Sequence, residues 1–309
     1  MPNDLKVSVI IPTYGRPDSL SNCLSSLENQ TFPPHEVIVV VDGGITTEVQ
    51  AVIDRFKNNS KLNLVQINNS ERKGALVSRR IGLKIAAGDI ITYLDDDVVL
   101  EPNWMAEILK GYQDNEEAVG VGGIIVDPVP YRDNVFYRLF ARVRSYLFRS
   151  KMGKINFIGL PYAYLTAPAD GYLSVDFLNS GNSSYRREII MSIRPDRLAG
   201  VDCVEEHNLG IILTREEKKK LIYNSKAVAY HHLVRSGGSW VGERDYYILR
   251  DHVTYLLKDF NLKYVRLALF SLYILALCLL FQKPKYLNSI SEGMRQYKDW
   301  KRGLSQASV

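Results

Sequence analysis

Three consecutive acids, Asp95-Asp96-Asp97, follow directly on the apolar run Ile90-Ile91-Thr92-Tyr93-Leu94. Carboxylates at the mouth of a buried strand repel one another and lose solvation, so that position calls for a counter-charge. A divalent cation carrying a diphosphate is one such counter-charge. Hard cations take carboxylate oxygens and usually reach phosphates through one or two of them. A solvated turn behind a strand is the plain alternative, and the three acids by themselves leave both readings open.

The surrounding pattern says what must hold these acids. Val7 to Ile11 is a short apolar run stopped by Pro12, and Glu36 to Val41 is a second, ended by Asp42-Gly43-Gly44. Both read as buried strands. Asp18 is expected to cap a helix whose apolar face is Leu20, Leu24 and Leu27. Val49, Val52, Ile53 and Phe56 give a second helical face, Leu62 to Ile67 a third strand, and Ala75 to Ala86 a helix stopped before Ile90. Strands alternating with helices imply a parallel sheet in an α/β fold, with ligands at the carboxyl ends of the strands. Thr13, Asp42 and Asp95 to Asp97 fall at such ends and are expected to line one crevice.

After about residue 120 the pattern changes. Val119 to Val126, with Gly120, Gly122 and Gly123, reads as a strand that another backbone approaches closely. Ser174 to Leu178 and Ala227 to Tyr230 read as further strands. Arg132 to Lys154 holds seven basic residues and one acid, with a stripe of Phe136, Leu139, Phe140, Val143 and Leu147. That describes either a helix lying on anionic lipid or a surface helix docked on the sheet. Leu267 to Phe281 is fifteen residues without a charge, about 22 Å as a helix against a hydrocarbon core of about 30 Å. Lys258, Lys263 and Arg266 precede it and Lys283 and Lys285 follow. Basic residues at both ends favour an interfacial or re-entrant segment over a span, with a helix buried in a dimer as a further alternative.

Composition sets the outer bounds. The 309 residues are 46% hydrophobic and 24% charged, enough for one large core plus an extension and too apolar for bulk disorder. The net charge of +5 suits an anionic ligand or a membrane surface without identifying either. Cys23, Cys203 and Cys278 are odd in number and lack metal-ligand spacing, which points to a reduced compartment. The first residues lack the basic and long apolar regions of a secretory signal, and no repeats are evident.

Taken in order, these segments resemble the inverting family 2 glycosyltransferases, over roughly residues 5 to 255. Ser8 to Arg16, including Pro12, Thr13 and Tyr14, looks like the family's opening strand and nucleotide loop. "EVIVVVDGG", Glu36 to Gly44, is similar to its second strand, whose acidic end holds the base and ribose. Gly74 to Arg80, Gly82, Ala86-Ala87-Gly88 and Leu94 to Asp97 match its helix, glycine and acidic series. Asn179 to Glu188, with Gly181 and Asn182, looks like the segment that enters the acceptor site, and Glu205-Glu206 stands in the place of the pair that supplies the base. His231-His232 lies where the family often has a His near the metal or diphosphate, and Arg244 and Arg250 resemble an Arg-aromatic helix behind the catalytic domain.

The resemblance implies a GT-A fold, a Rossmann-like, mostly parallel sheet flanked by helices, to which the apolar segment Leu267 to Phe281 with its basic flanks adds a C-terminal helical membrane-associating extension. It divides the chain into a nucleotide-sugar half (1–118), an acceptor half (119–245) and an extension (246–309). Pro12, Thr13, Tyr14, Arg16, Asp42, Arg79, Asp95 and Asp96 are expected at the donor, and Asp97, Asp95 and His231 at Mg²⁺ or Mn²⁺. Gly181 and Asn182 are expected at the acceptor, with Glu206, then Glu205, as base. A hydroxyl nucleophile needs such a carboxylate within reach, although acids in a helix's first turn also favour the dipole. Asp42 reads equally as a tight-turn residue, Arg79 as a solvated helix arginine, and Arg250 as an ion-pair partner.

The implied partners are a nucleotide-sugar donor, a lipid-linked or glycan acceptor and the cytoplasmic membrane face. No nucleic acid is expected, and oligomerisation is left open. The chain departs from the family at Val41 and Glu206, each in place of the usual Asp, and at Arg80 in place of Asn. A sugar-1-phosphate nucleotidyltransferase would show a Gly- and Arg-rich loop with a following Lys where this chain has Gly15-Arg16-Pro17. A phosphoribosyltransferase would show a phosphate loop that is not evident. A sugar-nucleotide binder without turnover is the remaining alternative.

Overall fold

The computed structural model describes residues 5–70, 74–126, 146, 151–161, 171–198, 204–232, 244–259, 261–281 and 283–302. The chain divides into two compact units. The first comprises residues 1–130, 164–193 and 219–237, the second 131–163, 194–218 and 238–309.

The first unit is an α/β sheet. Strands β1 (Val7–Thr13), β2 (Glu36–Asp42), β3 (Leu64–Asn69) and β4 (Ile90–Leu94) alternate with helices α1 (Pro17–Glu28), α2 (Thr47–Asn59) and α3 (Ala75–Ile85). β5 (Val98–Leu100), α4 (Trp104–Asp114), β6 (Ala118–Val126), β7 (Tyr172–Val175), β8 (Asn182–Arg186), α5 (Arg187–Ser192) and β9 (Lys220–His231) complete the described elements. The strand order is β3-β2-β1-β4-β8-β6-β9-β5, with β7 beside β9. β3, β2, β1 and β4 are parallel, as the alternation of strands and helices requires. β8 then joins β4 antiparallel, so the sheet is parallel where the first four strands lie and mixed beyond.

β1, β2 and β4 are buried from end to end, and Leu20, Leu24 and Leu27 of α1 are fully covered. Each covered side chain of that size contributes about 1.5–3 kcal/mol relative to leaving it in water. Asp18 does not cap α1. Pro17 takes the first helical position, Arg16 stands at the cap without a side-chain bond, and Asp18 falls within the first turn. Proline suits that position because its missing N–H would have no helical partner there.

Several strand limits differ from the sequence expectation, and the strand expected over Ser174 to Leu178 is β7, Tyr172–Val175, which ends three residues earlier. β9 begins at Lys220 rather than Ala227, and β5 follows the acidic triplet, where no strand was expected. The close approach expected of the Gly120–Gly123 stretch is real. A Cβ on Gly123 would lie 2.1 Å from the Ala227 carbonyl oxygen, at a register shift between β6 and β9.

The second unit holds α6 (Pro195–Leu198), α7 (Glu205–Ile211), α8 (Arg244–Asp259), α9 (Lys263–Phe281) and α10 (Asn288–Lys301). α9 buries Leu267, Phe270, Ile274 and Cys278, and leaves Val265, Leu272, Leu275 and Leu279 exposed. Among the described residues no helix is long and apolar enough to cross a membrane. Thr254 of α8 donates to the Gly293 carbonyl of α10 at 3.0 Å. Arg250 pairs with Asp251 at 2.6 Å, which is the ion-pair alternative for that arginine. The amphipathic stripe expected between Phe136 and Leu147 lies outside the described residues, as do Cys203 and the side chain of Arg244.

Candidate active site

The acidic triplet sits where β4 ends, and its neighbours come from four other places in the first unit. Thr13, the last residue of β1, donates its hydroxyl to Asp96 Oδ2 at 2.7 Å. Arg16, three residues on, donates from Nε to the same oxygen at 3.2 Å and pairs through Nη2 with Asp96 Oδ1. Its Nη1 donates to Asp97 Oδ2 at 2.8 Å, so one guanidinium bridges two consecutive carboxylates. Asp96 is wholly buried. Burial pushes its carboxyl up to about 7, against the opposing pull of the Arg16 charge and the Thr13 hydroxyl.

Asp97 behaves differently. Burial also acts to raise it, but His231 and Arg16 prevail and hold it below the usual carboxylate range. His231 Nε2 lies 3.2 Å from Asp97 Oδ1. The pairing of β5 with β9 sets Val98 opposite His231, and the His232 N–H donates to the Asp97 carbonyl at 2.8 Å. β5 therefore positions the histidine. The only sequence signal for β5 was Val98-Val99-Leu100, too short to stand out as a strand.

Asp95 faces α3 and β8. Arg79, itself buried, donates from Nη2 to Asp95 Oδ1 at 2.7 Å. A Cβ on Gly181 would lie 2.3 Å from Asp95 Oδ2, so a side chain there would have to displace that carboxylate. Asp42 is buried at the end of β2 and accepts from Asn69 Nδ2 at 3.0 Å and from the Gly74 N–H at 2.9 Å. Gly74 precedes α3, so Asp42 anchors the helix that carries Arg79. Its bonds thus tie the end of β2 to β3 and to the start of α3, with Gly43 at φ +82° beside it.

Pro12 is buried within β1, and Tyr14 is exposed just beyond it. Asn182 is a different matter. Its side chain has no exposure, accepting from Trp104 Nε1 at 2.9 Å and donating to the Ile124 carbonyl at 3.1 Å. Both ends of the amide are thus occupied within the core. Glu205 and Glu206 open α7 in the second unit, Glu205 buried and Glu206 with Oε1 3.7 Å from His207 Nε2. Burial lowers the basicity of His207, against the pull of Glu206.

Among the described residues no group of three or more acids, histidines or cysteines is close enough to hold a metal by itself. The chemistry of the Asp97–His231 pair nevertheless fits a divalent ion: one carboxylate and one imidazole, leaving further positions for water and phosphate oxygens. The arrangement as a whole is a partly covered anionic tip held by two guanidiniums and an imidazole at strand carboxyl ends. Such a site can bind a diphosphate and stabilise charge that develops on it.

A sequence model of the family described as "Glycosyl transferase family 2" matches residues 8–194. The chain is 36% identical over 124 residues to the glucosyl-dolichyl phosphate glucuronosyltransferase of Haloferax volcanii, a stretch covering 40% of this chain and 39% of that protein. It is 27% identical over 125 residues to the hyaluronan synthase of Streptococcus pyogenes, covering 39% and 30%. The chain thus matches two fifths or less of the length of either relative. S. aureus TarS 1-349 in complex with UDP-GlcNAc has a TM-score of 0.60 at 17% identity, covering 97% of this chain and 84% of that one. The mannosyltransferase PcManGT of Pyrobaculum calidifontis, in complex with GDP-Man and Mn²⁺, has a TM-score of 0.58 at 14% identity, covering 100% and 89%. At such identities the structural likeness speaks for the fold.

Proposed function

The chain belongs to glycosyl transferase family 2, and from that membership we propose that it transfers a sugar, with inversion, from a nucleotide-sugar donor to a lipid-linked or glycan acceptor at the cytoplasmic face of a membrane. The observation that carries this reading is the convergence of Arg16, Arg79 and His231 on Asp95, Asp96 and Asp97.

Cleavage of a sugar–diphosphate bond leaves an electron pair, and negative charge, on the departing oxygen. Arg16 and Arg79 are fork-shaped donors that can take phosphate oxygens as readily as carboxylates. When Mg²⁺ or Mn²⁺ is bound by Asp97 and His231, with Asp95 contributing, it supplies Lewis-acid stabilisation of the diphosphate. Pro12, Tyr14 and Asp42 border the place for the base and ribose, and Gly181, packed against Asp95, borders the place for the acceptor. Glu206 takes the proton of the acceptor hydroxyl as its oxygen bonds to the anomeric carbon, with Glu205 beside it in sequence. One displacement with one base inverts that carbon and needs no second carboxylate nucleophile.

The halves of this machine are residues 1–118 for the donor and 119–245 for the acceptor, with 246–309 at the membrane surface. The exposed Val265, Leu272, Leu275 and Leu279 of α9, between Lys263 and Lys285, support the last assignment. The test is a thermal-shift screen of nucleotide sugars, followed by donor hydrolysis and transfer with and without Mn²⁺. A ligand of the folded state raises its melting temperature by mass action. A screen without a single shift, together with no Mn²⁺-dependent turnover, would sink the reading.

A further inference from the structure

Both oxygens of Asp97 already have partners, Arg16 Nη1 at 2.8 Å on Oδ2 and His231 Nε2 at 3.2 Å from Oδ1. The two carboxylates that Arg16 bridges are not equivalent. Asp96 is sealed in the core and held also by Thr13, whereas Asp97 keeps 8% of its side chain exposed. Arg16 itself is 25% exposed. Its backbone stands between Gly15 at φ +61° and Pro17, which opens α1. Proline fixes its own φ and restricts the residue before it, so the side chain is the part of this loop that can turn.

We propose that Arg16 is a built-in counter-cation that competes with the divalent metal for Asp97 and, once displaced, presents the freed end of its guanidinium to the donor's diphosphate. This rests on the reading of Asp97 as a metal ligand. A guanidinium has no lone pair and cannot join a metal's coordination shell. Two cations on one poorly solvated carboxylate repel each other, so metal entry at Asp97 works against Nη1. Nε and Nη2 remain on Asp96, which makes the buried carboxylate a pivot. Guanidinium donates to carboxylate or phosphate oxygens with the same geometry, so Nη1 exchanges one anion for another without losing its hydrogen bond. Metal and diphosphate binding are thereby coupled through one side chain: each favours the Arg16 position that the other needs.

The test uses the full chain with two probes, MnCl₂ and inorganic pyrophosphate. Mn²⁺ is titrated by electron paramagnetic resonance without pyrophosphate, and pyrophosphate by calorimetry at saturating Mn²⁺. Arg16→Gln is expected to bind Mn²⁺ alone about tenfold more tightly than the wild type, and pyrophosphate about tenfold more weakly. Opposite signs are the signature, because a purely structural role would weaken both together. Arg16→Lys, which keeps a cation but cannot bridge two carboxylates, shows the same pair of signs at smaller size and serves if the Gln variant does not fold. Equal weakening of both, or no change in either, overturns the proposal. If Asp97→Asn abolishes Mn²⁺ binding while Arg16→Gln leaves it at the wild-type value, the role of Arg16 falls and the metal reading stands. If neither wild type nor Arg16→Gln binds Mn²⁺, both fall.

Discussion

His231 sets its Nε2 3.2 Å from Oδ1 of Asp97, from the far end of a strand that pairs antiparallel with the three residues behind the acidic triplet. The contact joins an imidazole to the carboxylate proposed to hold the metal. Replacing His231 by Ala is expected to weaken Mn²⁺ binding about 10–100-fold, the range seen when a residue that orients or assists a metal ligand is removed. Paramagnetic titration of the free ion checks this, and an unchanged affinity would remove His231 from the site.

Gly181 abuts Asp95 so closely that a methyl group would lie 2.3 Å from Oδ2. Gly181→Ala is expected to push that carboxylate off Arg79 and to cost about 1–3 kcal/mol, the usual penalty for overpacking. Chemical denaturation measures the stability and a donor titration the KM, which should rise. An Ala variant with wild-type stability and KM would show that the β8 approach yields freely.

Glu206 is assigned the proton of the acceptor hydroxyl. Glu206→Gln removes the base and is expected to lower the transfer rate about 10²–10⁴-fold while leaving donor affinity unchanged. Steady-state transfer alongside donor binding distinguishes the two effects. Unchanged transfer would move the role elsewhere, first to Glu205→Gln for the same measurement.

His252 is buried in α8 and donates from Nε2 to the Ile158 carbonyl at 3.1 Å. Burial drives its pKa down to about 3, although the hydrogen bond to Ile158 pulls the other way. The unfolded chain, with a His near 6.5, therefore binds more protons than the folded one between these values. Stability is intact above about pH 6.5 and is lost as the pH falls toward 3, by about 2 kcal/mol at pH 5. His207, also lowered by burial, acts with the same sign. Asp96, whose carboxyl burial raises to about 7, acts with the opposite sign over this range in both proteins, so the check is the difference between them: from pH 7 to pH 5 the urea midpoint of the wild type should fall relative to that of His252→Gln. An equal change in both proteins would rule out His252 as the cause.

The exposed stripe of Val265, Leu272, Leu275 and Leu279 predicts flotation with anionic liposomes. Replacing Leu272 and Leu279 by Ser should shift the protein into the unbound fraction without lowering its melting temperature, since neither side chain is buried. Wild-type protein recovered wholly unbound would dispose of the membrane surface as a partner.

Much of the first unit was determined by local sequence. Runs such as Val7–Ile11 and Ile90–Leu94 are too apolar to lie anywhere but in a covered strand, and strands alternating with amphipathic helices can pair only in parallel. That logic places Thr13, Asp42 and the acidic triplet at strand carboxyl ends, where the structure has them. It also gives the close approach at Gly123, because a glycine inside a strand usually marks a neighbouring backbone.

Long-range pairing decided the rest. Which partner each acid meets depends on β8 and β9 arriving antiparallel, with Leu94 opposite Asn182 and Val98 opposite His231. Strand register between distant segments leaves no trace in a period of two, and a slip of one residue would turn every side chain to the other face. Sequence therefore had Asn182 and Gly181 as equals. Register turned the amide into the core against Trp104 and left the glycine against Asp95. In the same way the residue types supplied two arginines and three aspartates, but only the meeting of three strand ends determined that Arg16 bridges one pair and Arg79 holds the third.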